Sequence, residues 1–407
     1  MRPGDDLMDS QTLMLLSEKY VAHTYTRYPL LLVRGKGSRV WDLEGEEYLD
    51  FVSGLGVCSL GHCHPKVIRA IQDQAEKLIH VSNLYYIEPQ IQLASLLCKH
   101  SFADKVFFCN SGAEANEGAF KLARKYAKEK MGKARYEIIT MERSFHGRTL
   151  ATLTATGQEK FHKGYEPLMP GFKYIPFNDL RAVKNSVDSK TCAVMLEPIQ
   201  GEGGVNCPSE GYLKALREIC DEKGVLLIFD EVQVGMGRTG KLFAYEHDGV
   251  EPDMLTLAKS LAGGVPIGAL LIRKGIEESF KPGDHASTFG GNPLATAAGV
   301  AALTTMLEEG ILENCQKVGD YFLSRLDEIK GKFPFVKEVR GKGLILGIEL
   351  KTDGSSIVKE MLKKKILINC TMGNVLRFLP PLIITQEEVD RVVKALDEVF
   401  AGIAHGA

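Results

Sequence analysis

Three ionisable residues each stand just after an apolar run. TCAVML is followed by Glu197, VLLIF by Asp230 and MLTLA by Lys259. The spacings are 33 and 29 residues, about one strand–helix unit each. If each run is a strand of one parallel sheet, all three side chains emerge at its carboxyl edge, where open α/β sheets bind ligands. Any one of them alone reads equally as a solvated loop charge. Lys259 fits that reading worst, because the small residues of SLAGGVP (260–266) follow it and let a planar ligand approach. A lysine beside a cavity loses hydration, its pKa falls, and its free amine becomes a nucleophile toward aldehydes.

A fourth element completes the set. KVFFC runs into Asn110, Ser111, Gly112 and Ala113 and then into a helical stretch. A small-residue turn at a helix start offers backbone N–H groups and a hydroxyl to a phosphate. A lysine nucleophile, a carboxylate one unit upstream and a phosphate turn together suit pyridoxal 5′-phosphate (PLP). Lysine makes the Schiff base, Asp230 keeps the pyridinium nitrogen protonated, and the turn takes the phosphate. The stretch Asp230, Glu231, Val232 and Gln233 is expected to grip the ring, with Phe145 on one face and Val232 on the other.

A rival pattern lies in the same stretch. FDEVQVGMGRTG holds G-x-G-x-x-G at Gly235, Gly237 and Gly240, which would suit an NAD(P)-dependent oxidoreductase. That fingerprint needs its glycines at a strand-to-helix turn and an acid closing the next strand. Here Asp230 and Glu231 occupy the turn, KLFAYEHDGVEPD has no sustained helical stripe, and Asp253 precedes the next apolar run. The glycines read better as a turn carrying the chain away from the site.

The chain has 407 residues, which suggests two or three domains. Its net charge of −2 gives no reason to expect nucleic acid or an anionic membrane as partner. No apolar run approaches the ~20 residues of a membrane span. MRPGDDLMDSQ is acidic and lacks an apolar signal core, so a cytoplasmic protein is expected. The nine cysteines form no C-x-x-C pair and stand in apolar settings such as LASLLC and LREIC, as reduced, buried thiols would. GHCHP at 61–65 reads as a turn ending in proline, and no metal is expected.

The elements follow the same logic. VRGKGSRVWDLEGEEYLDFVSG alternates around turn signals, as short antiparallel strands do. PKVIRAIQDQAEKLI (65–79) and Ala113–Glu129 have helical spacing. Ser209–Lys223 reads as a helix with Ser209 as N-cap and Gly224 beyond its end. Strands alternating with helices predict an α/β fold with a doubly wound, mainly parallel sheet. Toward the C-terminus, FVKEVRGKGLILGIELK reads as a hairpin, NVLRFLPPLIIT as a strand broken by Pro380 and Pro381, and Thr385 to Glu388 as a capping box opening a last helix. The expected division is an N-terminal segment (1–60) joining a small α+β domain (294–407), around a large cofactor-binding domain (61–293).

At NSGAEANEGAFKLAR (110–124), SFHGRT (144–149), LEPIQGEGG (196–204), FDEVQVGMGRTG, LAKSLAGGVPIGA (257–269) and STFGGNP (287–293), the sequence resembles the class III aminotransferases, PLP enzymes of fold type I. The resemblance covers nearly the whole chain. It implies that Lys259 binds the cofactor and shuttles the substrate proton, Asp230 pairs with the pyridinium, and Gln233 bonds the ring oxygen. Ser111, Gly112 and Ala113 would hold the phosphate and Phe145 would stack. It implies a homodimer in which Thr288 reaches the partner's cofactor phosphate and Ser287 stands near that substrate.

The resemblance also implies two arginines for substrate. Arg148 would take the carboxylate remote from the transferred amine through a bidentate fork. Arg377 would take the α-carboxylate of glutamate or 2-oxoglutarate, although it reads alternatively as a surface strand charge. Glu197 would neutralise Arg377 while an acylated ornithine is bound. The implied reaction moves the δ-amino group of N2-acetyl-L-ornithine to 2-oxoglutarate in arginine biosynthesis. Ornithine, 4-aminobutyrate, succinylornithine and N-succinyl-diaminopimelate are alternative donors. Similar ornithine δ-aminotransferases carry a tyrosine where Leu55 aligns, a residue that helps hold free ornithine; Leu55 suits an acylated substrate. Asn83, Tyr85 and Tyr86 would either line the pocket or pack in the core.

Overall fold

The computed structural model describes residues 9–132 and 134–406, so the first eight residues of the acidic N-terminal stretch lie outside it. Its centre is a seven-stranded sheet in the order Lys105–Cys109, Gly268–Ile272, Met254–Leu257, Leu226–Asp230, Thr191–Leu196, Glu137–Met141, Phe172–Ile175. Gly268–Ile272 runs antiparallel to both neighbours, and the remaining pairs are parallel. Thr191–Leu196 and Leu226–Asp230 are buried at every position, which is why they read as continuous apolar runs. Alternate side chains feed opposite cores. Leu226 and Ile228 join Phe120 and Leu122 on one face, while Leu227 and Phe229 join Leu93 and Leu213 on the other. The α/β sheet is the one expected.

Local chemistry moves two helix boundaries. The helix after Pro208 runs Tyr212–Lys223 and is entered through Gly211 at φ 75°, so Ser209 is not its N-cap. Ser209 instead donates its N–H to Asn178 Oδ1 at 2.9 Å. Gly224 does close the helix in the left-handed region, at φ 59°. The helix at the phosphate turn spans Gly112–Tyr126 and passes into a π-helical turn at Ala127–Met131.

Two four-stranded sheets complete the frame. Leu32–Lys36, Arg39–Asp42 and Glu47–Asp50 form an antiparallel set, which Ile366–Leu367 extends in parallel. Strands from the N-terminal and C-terminal parts of the chain thus share a sheet. The other sheet has the order Val336–Lys342, Ile345–Leu350, Val375–Phe378, Asn369–Thr371, all antiparallel. The hairpin and the Thr385–Glu388 capping box are both present. Pro293–Glu308 packs against Pro65–Lys77, Glu88–Lys99 and the turn Lys259–Ala262. That helix therefore supports the Lys259 turn from beyond the limit at 293, and Gly310 at φ 67° redirects the chain after it.

All nine cysteines are free; Cys109, Cys192, Cys220 and Cys315 are buried as expected, while Cys58, Cys98, Cys207 and Cys370 are half-buried and Cys63 is exposed, against the expectation of uniform burial. Tyr86 is 98% exposed and Tyr85 is exposed too, so neither packs in the core. Among the described residues no helix is long and apolar enough to cross a membrane.

Candidate active site

Because the strands before them run parallel, Asn110, Glu197, Asp230 and Lys259 follow strand ends on one sheet edge. Asp230 is 3% exposed. Its Oδ2 accepts from Asn116 Nδ2 at 2.8 Å and lies 2.8 Å from His146 Nδ1; its Oδ1 accepts the Val232 N–H at 3.0 Å. Beside a carboxylate that accepts only, His146 Nδ1 carries the proton. Oδ1 keeps one acceptor position open, as a protonated ring nitrogen requires. His146 and Asn116 were not foreseen as site residues. Their signal lies in position: each is a polar residue inside one of the motifs that flank the cofactor set, SFHGRT or NSGAEANEG.

Ser111 is the N-cap of Gly112–Tyr126, and its hydroxyl oxygen accepts the Glu114 N–H at 3.2 Å. A helix start leaves its first N–H groups without intrahelical partners, here those of Gly112 and Ala113. A Cβ at Gly112 would stand 2.7 Å from Val232 Cγ1, so only glycine lets the turn close on that side chain. Asn110 Nδ2 donates to Ser287 Oγ at 3.1 Å, which ties Ser287 to the turn of its own chain. Thr288 and Phe289 beside it are exposed.

Lys259 opens a short 3-10 turn at φ 43°, a left-handed conformation costly for a residue with a Cβ. Burial, aided by the charge of Arg377, pushes its amine down to about 8. The turn is pinned from behind. Ser260 Oγ donates to Gly56 O at 2.8 Å and bonds Ser59 Oγ at 2.6 Å. Ser59 Oγ accepts from Arg238 Nη2 at 2.9 Å, and Arg238 Nη1 reaches Leu344 O at 2.9 Å and Pro380 O at 2.5 Å. Arg238 is fully buried and comes from the glycine-rich loop. No helix opens on Gly235, Gly237 and Gly240; the chain turns through them toward Ala244–His247. The loop's glycines thus serve to deliver Arg238 beneath Lys259, which removes the dinucleotide reading.

The remaining carboxylates correct the sequence reading twice. Glu231 Oε2 and Oε1 accept the N–H groups of Ala244 and Tyr245 at 2.6 and 2.8 Å, so both its carboxylate oxygens are engaged in holding a turn, away from the use the sequence suggested. Glu197 does not pair with Arg377. Its oxygens accept the Phe145 N–H at 2.9 Å and the Gly201 N–H at 3.1 Å, and burial raises its pKa to about 7. Arg377 pairs instead with Glu202 Oε2 at 2.9 Å, and its Nη1 donates to Gln233 Oε1 at 3.1 Å. Arg377 is a buried strand residue, not a surface charge. Glu202 had a signal in the sequence, as a lone acid between the glycines of QGEGG. A Cβ at Gly201 would fall 1.7 Å from Gln233 Oε1, and one at Gly203 would fall 2.2 Å from Arg143 O.

Phe145 meets Phe161 edge-on at 5.8 Å, and the Arg148 guanidinium lies over the Phe161 ring at 4.1 Å and the Phe145 ring at 5.5 Å. Leu55, at φ 65°, lines a cavity of about 790 Å³ that extends to Asn369, the residue opposite Arg377 on the neighbouring strand. In GHCHP, His62 is taken by Asp50 at 2.7 Å. Asn83 Nδ2 donates to Gly290 O at 2.9 Å and so fastens the Ser287–Gly291 segment.

Residues 20–400 match the family model described as aminotransferase class-III. The chain is 57% identical to an acetylornithine aminotransferase from Caldanaerobacter subterraneus subsp. tengcongensis, over 96% of this chain and 100% of that one. An ornithine aminotransferase structure from Toxoplasma gondii, described as having PLP at partial occupancy in its active site, superposes with a TM-score of 0.94 at 38% identity, covering 98% of this chain and 95% of that one. An acetylornithine aminotransferase structure from Elizabethkingia anophelis gives 0.88 at 37%, covering 97% and 100%. With that coverage, and with the lysine, the acid and the phosphate turn on one sheet edge, the chain belongs to the class III aminotransferases.

Proposed function

We propose that this enzyme uses PLP to transfer the δ-amino group of N2-acetyl-L-ornithine to 2-oxoglutarate, giving N-acetyl-L-glutamate 5-semialdehyde and L-glutamate. The observation that carries the dual substrate is the ion pair of Arg377 with Glu202. Arg377 is 1% exposed, whereas the Glu202 side chain is 33% exposed and so has solvent to turn into when displaced. A donor without a carboxylate beside its amine leaves the pair closed. Glutamate or 2-oxoglutarate brings its own carboxylate and displaces Glu202. The name of the relative from Caldanaerobacter supports the acylated donor, as does Leu55 in the cavity wall.

The residues fit the cofactor. Gly112 lets the helix start close against Val232 with the Gly112 and Ala113 N–H groups left for a phosphate, Asp230 keeps an acceptor position for a ring nitrogen, and burial lowers the Lys259 amine to about 8. Bound there, PLP supplies an electron sink for the carbon that carries the amine. Lys259 Nζ then takes the proton from that carbon and returns it on the other side of the transfer. Ser111, Gly112 and Ala113 would hold the phosphate, Phe145 and Val232 would pack on the ring, and Gln233 would bond its oxygen. Arg148, braced by Phe161, binds the distal carboxylate of the acylated donor.

Leu84, Tyr85, Tyr86 and Phe289 are exposed on two segments that touch through Asn83 and the His80–Phe289 ring contact. A second copy of the chain would cover them and bring Thr288 and Ser287 to the partner's site. We assign the protein to the cytoplasm and to arginine biosynthesis. The domain division keeps 1–60 with the C-terminal part, with the large domain beginning at 61.

The test is an amine-donor panel with 2-oxoglutarate, following glutamate. Acetylornithine should give the highest kcat/KM among acetylornithine, ornithine, 4-aminobutyrate, succinylornithine and N-succinyl-diaminopimelate. A higher value for another donor overturns the assignment of substrate. Protein freed of excess cofactor after adding PLP that shows no aldimine band overturns the assignment of cofactor.

A further inference from the structure

Arg340 lies outside every motif that identifies the family site. It stands in Val336–Lys342, directly opposite Gly347 of Ile345–Leu350, and Gly347 is in turn opposite Arg377 of Val375–Phe378. The three residues form one row across three strands, so their side-chain positions share a face. The missing side chain at Gly347 makes a gap between two arginines. Into that gap falls the segment that carries Glu202, for a Cβ on Gly347 would come within 3.1 Å of Val205 Cβ.

Both arginines grip that segment from the same face. Arg377 takes the Glu202 carboxylate at 2.9 Å. Arg340 Nε donates to Gly204 O at 3.1 Å and Val205 O at 3.0 Å, and its Nη2 donates to Gly204 O at 2.6 Å. Arg340 is itself held by Glu338 and Glu349, with its side chain 12% exposed. Thr371, on the outer strand, donates its hydroxyl to Glu202 O. Gly204 at φ 114° and Val205 at φ 55° keep the segment in a conformation that these bonds must maintain.

We propose that Arg340 is a positioning residue that sets substrate preference by holding Glu202 in register with Arg377. It touches no substrate. It acts on the backbone two and three residues beyond Glu202, and so sets how readily the ion pair closes when the bound amine has no neighbouring carboxylate. Loosening the segment leaves buried Arg377 without a partner in that half of the reaction. In the other half glutamate supplies the partner, and a looser Glu202 is easier to displace. The inference rests on the dual-substrate reading above, and it concerns the ratio of the two half-reactions rather than the existence of either.

The test measures both half-reactions separately, in single turnover, on the holoenzyme. Arg340→Met should lower kcat/KM for acetylornithine by about ten-fold, the scale of one lost specificity contact, and change that for glutamate by less than about three-fold. Arg340→Lys should fall between Met and wild type. Thr371→Val, a smaller change that leaves Arg340 in place, should move the ratio in the same direction and keeps the idea open to test if Arg340→Met does not fold. In a Glu202→Gln background, Arg340→Met should cause no further change in the ratio, because its effect passes through Glu202. Equal loss in both half-reactions, an unchanged ratio, or an undiminished effect in the Glu202→Gln background would each overturn the proposal. Wild-type protein that takes no amine from acetylornithine would sink the donor assignment alone. The ratio is then read between glutamate and whichever accepted donor lacks a carboxylate beside its amine.

Discussion

The carboxyl edge of the large sheet and the strand row that carries Arg377 hold their charges in opposite ways. At the edge, each acid is anchored by fixed donors: Asp230 by His146, Asn116 and the Val232 N–H, with one Oδ1 position left open, and Glu197 and Glu231 by two backbone N–H groups each. Such groups cannot move without stranding a buried donor. In the row, Arg377 depends for its charge partner on Glu202, a side chain that reaches solvent. One region is built to stay and the other to exchange. On the proposed function, cofactor binding falls on the anchored side and substrate alternation on the solvent-reaching one.

Four substitutions probe that contrast, in decreasing order of effect. Lys259→Ala should cost at least the ~10²–10⁴-fold that a positioned acid–base group supplies; turnover assays check this, and near-wild-type turnover would move the chemistry elsewhere. Glu197→Gln replaces an acceptor of two N–H bonds by a group that accepts only at one atom, and should destabilise the fold by about 1–3 kcal/mol. Its pH dependence has a definite sign. The folded-state pKa of Glu197 is raised from 4.5 to about 7, so the folded protein binds the extra proton in that window. The Glu197 contribution is therefore full below about 4.5 and declines as pH rises through about 7. Denaturant melts of wild type and variant across that range should show their difference narrowing.

The third substitution, Gly112→Ala, puts a methyl group against Val232 and should weaken PLP binding by about ten-fold, the factor for ~1.4 kcal/mol. A spectroscopic titration with PLP measures it. The smallest effect links the two regions. Arg377→Met removes a positive charge that helps depress Lys259, so the amine should move up from about 8 toward its ordinary value. Reactivity of the apoprotein toward a small aldehyde, followed against pH, reports that shift; an unmoved profile would leave burial as its only cause.

The large sheet was legible because its strands are buried on both faces and read as unbroken apolar runs, so the residue after each run marks an edge position. That rule located Asp230 and Lys259, but it says nothing about where a carboxylate aims. Glu197 stands at a strand end and turns to its own loop, while Glu202, five residues later, is brought back over another sheet. Ser209 misled for a related reason: a capping residue type was present, yet Gly211 turned the chain at the helix entrance instead. Arg340 and Arg238 carry no local signal at all. The first depends on the register of three strands and the second on a junction of four separate segments. The N-terminal strands read correctly as strands, and their pairing with Ile366–Leu367 shows how distant sequence completes a sheet.

The most direct measurement compares Glu202→Gln with Glu197→Gln, reading the acetylornithine-to-glutamate ratio of kcat/KM and the Tm of each. Glu202→Gln should move the ratio by about ten-fold and shift Tm by no more than ~2 °C. Glu197→Gln should lower Tm and leave the ratio in place. If Glu197→Gln moves the ratio and Glu202→Gln does not, the exchangeable partner of Arg377 is Glu197 after all, and the division between a fixed edge and a mobile row is wrong.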